Sequence, residues 1–64
     1  MRVTYQIYSN YSLSPESKVR EHTQEQTFLP NLDNIVLLEG QSYHVSEIVW
    51  DIHALEIIVK LTEI

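Results

Sequence analysis

At both ends of this chain, apolar side chains recur at every second position. Val3, Tyr5 and Ile7 alternate with Arg2, Thr4 and Gln6, and Leu55, Ile57, Val59 and Leu61 alternate with Glu56, Ile58, Lys60 and Thr62. A period of two marks a half-buried strand, whereas a helix needs apolar residues three and four apart. Between the two ends, Tyr43 and Val45 are in phase with each other, and Ile48 and Trp50 are in phase one step out. A slip of that kind at Ser46-Glu47 is what a β-bulge produces, and a bulge bends a strand across a small sheet. Ile35 to Glu39 is short and apolar on both faces. The turn Glu39-Gly40-Gln41-Ser42 joins it to the next strand, and Gly40, the one glycine, takes positive φ without steric cost.

The remaining segments are polar. Residues 9–17 are rich in turn formers and read as a loop, with Tyr11 and Leu13 as its apolar anchors. Residues 15–27 admit a helix, with Ser14 as N-cap and Pro15 in the first turn. Val19 and Phe28, however, are the only apolar residues from 18 to 28, so a helix there has no stripe to bury. A solvated edge strand needs none, and is the favoured reading. Leu29 to Asn34 and Asp51-Ile52-His53-Ala54 read as turns. The expected fold is a single domain spanning 1–64, all-β, a small five-stranded bent antiparallel sheet or partly open SH3-like barrel. The alternative is α+β with a helix at 15–27. Tyr5, Phe28, Tyr43 and Trp50 are assigned to the core, and Tyr8 and Tyr11 to the exposed surface.

Size then limits function. The chain has 64 residues, no cysteine and a 44% hydrophobic content, too apolar for intrinsic disorder and too short for a two-domain nucleotide enzyme. Without cysteine there is no disulfide scaffold, thiolate zinc site or thiol nucleophile. The longest apolar run, Ile35-Val36-Leu37-Leu38, is far below the roughly 20 residues that span a bilayer. The first residues lack the apolar stretch of an export signal, so the expected location is cytoplasmic and no membrane partner is expected. The triplet Asn10-Tyr11-Ser12 matches a glycosylation acceptor, but no secretion signal supports it.

Charge is divided unevenly. Residues 1–28 are neutral, whereas residues 29–64 set Lys60 against Asp33, Glu39, Glu47, Asp51, Glu56 and Glu63 and carry the whole net charge of −5. An acidic surface has few cations to exchange for phosphate counterions, which disfavours nucleic acid and anionic lipid. Asp51, His53 and Glu56 form the one cluster resembling a metal or acid–base site, with His22 and His44 as distant additions. The cluster flanks a turn, and a solvated acidic turn explains it without a ligand. One glycine leaves no phosphate-binding loop, and four of the six serines share a loop with no nearby histidine. No catalytic residue, metal or cofactor is implied.

The run Pro30-x-x-Asp33-x-Ile35-x-Leu37-x-x-Gly40-x-x-Tyr43-x-Val45-x-x-Ile48-x-Trp50-Asp51, closing with Ile57-x-Val59-x-Leu61, resembles short β proteins of bacteriophages and mobile elements. That resemblance implies an accessory protein that acts by binding, with anti-defence inhibitors such as anti-CRISPR proteins among the candidates. It carries over no catalytic residues. From the residues themselves the expected function is a non-catalytic protein-binding module. Tyr8, Asn10 and Tyr11 supply contact surface, Glu47, Asp51 and Glu56 steer toward a basic partner, and Ile58 is an exposed apolar residue that points to self-association. The alternatives are a nucleic-acid-binding small barrel and a structural subunit of a homo-oligomer.

Overall fold

A computed structural model describes residues 1–9 and 13–64. Five strands form one curled, half-barrel sheet: β1 (Arg2–Tyr8), β2 (Lys18–Glu25), β3 (Ile35–Leu38), β4 (Gln41–Asp51) and β5 (Glu56–Glu63). Their order across the sheet is β2-β1-β5-β4-β3. The helical alternative at 15–27 reduces to a single 3-10 turn, Pro15–Ser17, after which β2 runs as an exposed, polar edge strand.

The sheet is mixed. β1 pairs antiparallel with β2 but parallel with β5, Val3 lying beside Ile57 and Ile7 beside Leu61. Consecutive strands alternate in direction, so the first and fifth run the same way. The chain leaves β1 for one edge, crosses to the other at β3, and returns through β4 to place β5 against β1. The expectation of a wholly antiparallel sheet is corrected at this one pair. Alternation says which face a side chain occupies and nothing about which strand lies beside it.

The expected bulge is present. The register of β4 against β5 shifts between Val45 and Glu47, leaving Ser46 as the extra residue. Tyr43 and Val45 before it, and Ile48 after it, therefore share the concave face with Val3, Tyr5, Ile7, Ile57, Val59 and Leu61. Val3, Val45, Val59 and Leu61 are fully buried, each worth roughly 1.5–3 kcal/mol in transfer free energy. Leu29, Val36 and Leu38, partly buried, pack against this core.

Four assignments need correction. Tyr8, expected on the surface, is 4% exposed: its ring lies under the Lys60 ammonium at 5.9 Å, and its hydroxyl donates to Gln6 Oε1 at 2.6 Å. Trp50, expected in the core, is 61% exposed. It has the correct parity, opposite Ile57, but β3 reaches only as far as His44, so no strand covers this end of β4. Phe28 is likewise exposed, because β2 has already ended at Glu25. Leu55, expected in the last strand, lies outside it: β5 begins at Glu56 and Leu55 closes the preceding turn with φ 53°.

Candidate functional site

The residues singled out from sequence do not converge. Register places Tyr8 beside Thr62 at one end of the sheet and Glu56 beside Arg2 at the other. Asn10 and Tyr11 lie outside the described residues. Ile58 is half-buried on the convex face between Thr4 and Val49. The three acids have structural work of their own. Glu47 pairs with Lys60 at 3.2 Å, and Asp51 Oδ1 accepts the Ala54 amide at 3.0 Å, closing the β4–β5 turn. Glu56 accepts a hydrogen bond from the buried Thr4 hydroxyl and lies 3.6 Å from Arg2 Nε, tying β5 to β1.

What does converge is apolar and was missed. Met1, Trp50, Ile52 and Leu55, each more than half exposed, surround a groove of ≈360 Å3 at the β4–β5 turn, with Ile57, Asp51 and Glu56 completing its lining. The groove forms because β4 outruns β3, and because the turn directs Ile52 and Leu55 away from the core. Leu55 is the informative residue. A leucine at φ 53° adopts the left-handed conformation at a cost of about 1–2 kcal/mol, and at 81% exposure it recovers almost none of this by burial. Glycine or asparagine would suit the fold better. A sequence signal was available: two large aliphatics in a turn, where polar turn formers belong.

A second groove of ≈400 Å3 opens between β2 and the segment before β3, lined by Tyr5, Gln24, Gln26, Phe28, Pro30 and Val36. Its polar atoms are mutually engaged. His22 Nε2 and Gln24 Oε1 are 2.9 Å apart, Gln24 Nε2 donates to Gln26 Oε1 at 2.8 Å, and the Tyr5 hydroxyl donates to the same oxygen at 3.0 Å. Gln26 Nε2 donates in turn to the Phe28 carbonyl at 2.6 Å. Among the described residues no buried side-chain nitrogen or oxygen lacks a partner, and no three His, Asp or Glu side chains converge as a metal site.

The cations are all committed. Arg2 meets Glu56, Lys18 meets Glu21 at 2.8 Å, Arg20 meets Glu39 at 2.9 Å and Lys60 meets Glu47. The Lys18–Glu21 contact raises the lysine pKa and lowers that of Glu21, each through the charged hydrogen bond between them. Among the described residues Glu16, Asp51 and Glu63 form no ion pair. The uncompensated charge is therefore entirely negative, and part of it borders the apolar groove. No described helix is long and apolar enough to cross a membrane. No family model, curated protein or solved structure matches the chain.

Proposed function

We propose that this protein is a small binding module that acts by occupying the surface of another protein, docking it through the groove formed by Met1, Trp50, Ile52 and Leu55. The observation that carries this reading is Leu55, held strained and exposed beside the exposed tryptophan. Strain at a position that does not serve packing is stored where function uses it. Tryptophan in a groove of aliphatics is the side chain most enriched among residues that dominate binding energy. Charge supports one kind of occupant: with every lysine and arginine already held by a carboxylate and Asp51 at the groove, the complementary surface is an apolar projection rimmed by basic residues. The same commitment of cations weighs against a phosphate backbone as ligand. An accessory or inhibitory role by surface occupation, the role that the resemblance drawn from the sequence implies, fits a module of this size.

Matched baits test the reading. Wild type, Trp50→Ala and Leu55→Gly are immobilised at equal density and challenged with the same bacterial lysate. The reading predicts a basic protein retained by wild type, lost from Trp50→Ala and released by moderate salt. Equal retention by all three baits would remove the groove from the account.

A further inference from the structure

The β3 edge carries a second surface, at the far end of β4 from the groove just described and independent of it. Leu38 pairs with Gln41 across the two-residue turn Glu39-Gly40, and Val36 pairs with Tyr43. In such a hairpin the residues flanking the turn form a hydrogen-bonded pair, and hydrogen-bonded and open pairs then alternate. Val36 and Leu38 thus direct their amides and carbonyls at β4. The same parity continues at the other end, where the Val45 amide donates to the Asn34 carbonyl at 3.0 Å and the Val45 carbonyl accepts from Asp33 at 2.9 Å. Ile35 and Leu37 direct theirs outward.

Edge strands in natural proteins are blunted by charge, and β2 is: it carries Lys18, Arg20, Glu21 and Glu25. β3 carries no charged residue, and the side chains of Ile35 and Leu37 are 58% and 72% exposed. Its charges stand at its two ends and are acidic and exposed: Asp33, which lies 3.1 Å from His44 Nε2, and Glu39, one carboxylate oxygen of which is held by Arg20 at 2.9 Å. We infer that the β3 edge accepts an extended segment of another protein by strand addition, one with apolar residues at alternating positions and basic residues at its ends. Main-chain bonds to Ile35 and Leu37 supply affinity, and alternate side chains supply specificity. On the face of Val36 those side chains enter the ≈400 Å3 groove lined by Phe28 and Pro30.

Charge also separates this occupant from a second copy of the chain. Antiparallel self-pairing that sets Ile35 against Leu37 of the other copy places Asp33 opposite Glu39 at both ends. Like charges directly opposite are destabilising, though Arg20 offsets part of the Glu39 charge, whereas a lysine or arginine is attracted, most strongly at Asp33, which meets no lysine or arginine of its own.

The test is a titration followed through backbone amide resonances, using a capped peptide of alternating valine and threonine with a lysine at each end. Saturable shifts and slowed hydrogen exchange are expected at Ile35 and Leu37. Leu37→Pro removes an outward donor and no β3–β4 bond, so it should keep the native melting transition and bind at least about tenfold more weakly. Asp33→Asn tolerates the same left-handed backbone and should bind roughly threefold more weakly with less salt dependence. Should Leu37→Pro unfold, N-methylation of the peptide at the valine facing Leu37 makes the same deletion from the other side. The inference is overturned by shifts that map elsewhere or fail to saturate, or by equal binding of a peptide with glutamate ends. It is equally overturned if Ile35 and Leu37 become protected with rising protein concentration and no peptide, which assigns the edge to a second copy.

Discussion

At the scale of one residue, Leu55 stands where the fold alone favours glycine. Its φ of 53° suits glycine, its side chain is 81% exposed, and it lines the groove together with Trp50 and Ile52. Leu55→Gly should therefore stabilise the protein by about 1 kcal/mol in urea denaturation while weakening the partner complex. A loss of stability would mean that Leu55 packs in the free protein after all. Glu21 offers a test in a different coordinate. Its carboxylate accepts from Lys18 at 2.8 Å and from Gln6 at 3.1 Å, and its pKa lies below the ordinary 4.5. A lowered carboxylate pKa gives stability that is present above 4.5 and fades as pH falls through the folded-state value. Glu21→Gln should melt below wild type at about pH 7 and converge with it once the pH has fallen below the folded-state value, with a small difference because the site is exposed. The Lys18 side of the pair acts at the opposite limit: its raised pKa stabilises below 10.5 and the gain is lost as pH rises beyond it.

At the scale of elements, the Ser46 bulge makes the sheet curl. Ser46 Oγ lies 2.7 Å from the Thr62 hydroxyl and 3.1 Å from His44 Nδ1, so the extra residue is also bonded into the convex face. Deleting Ser46 leaves Tyr43, Val45, Ile48 and Trp50 in one continuous alternation, so the deletion removes the bend without moving any side chain to the wrong face. It should cost about 1–3 kcal/mol in denaturation, from lost hydrogen bonds and a flattened core. A neutral deletion would show that the curl comes from strand twist alone. This is also where the legibility of the sequence divides. The alternation of Val3, Tyr5 and Ile7, the phase slip at Ser46-Glu47 and the polar β2 were all readable, because each reports the face on which a residue lies. The β1–β5 parallel pair was not, because alternation carries no information about neighbours. Tyr8 misled because a tyrosine can be covered on the polar face by a lysine stem. Trp50 misled because its face was right and its cover absent: β3 is only four residues long.

At the scale of the whole molecule, the candidate site is what the fold leaves unfinished. β4 extends beyond β3 at one end, exposing Trp50 over the groove, and among the described residues β3 is an edge strand with no strand paired to its outer side. The sequence pointed toward protein binding and an acidic carboxy-terminal half, with Tyr8, Asn10 and Tyr11 as contact surface. Tyr8 is buried in β1 and Asn10 and Tyr11 lie outside the described residues, so the surfaces proposed for docking are instead the β4–β5 turn and the β3 edge. The acids proposed for steering turn out to serve the fold first, with Glu56 and Glu47 each neutralised by a cation. Steering then falls to the net charge and to groups such as Asp51 and Glu63, and the association rate should fall with ionic strength over the range where charges are screened. Trp50→Ala should leave the unfolding free energy within about 0.5 kcal/mol of wild type while costing about 2 kcal/mol or more in binding.

The most direct test of the central claim uses the chain's one tryptophan as its own reporter. Trp50 emission is recorded for the free protein and during titration with the partner retained on the wild-type bait. The account predicts water-like emission, readily quenched by acrylamide, in the free protein at every protein concentration. It predicts a blue shift and protection from quenching that saturate with added partner. Saturable binding of that partner with Trp50 emission and quenching unchanged would contradict it.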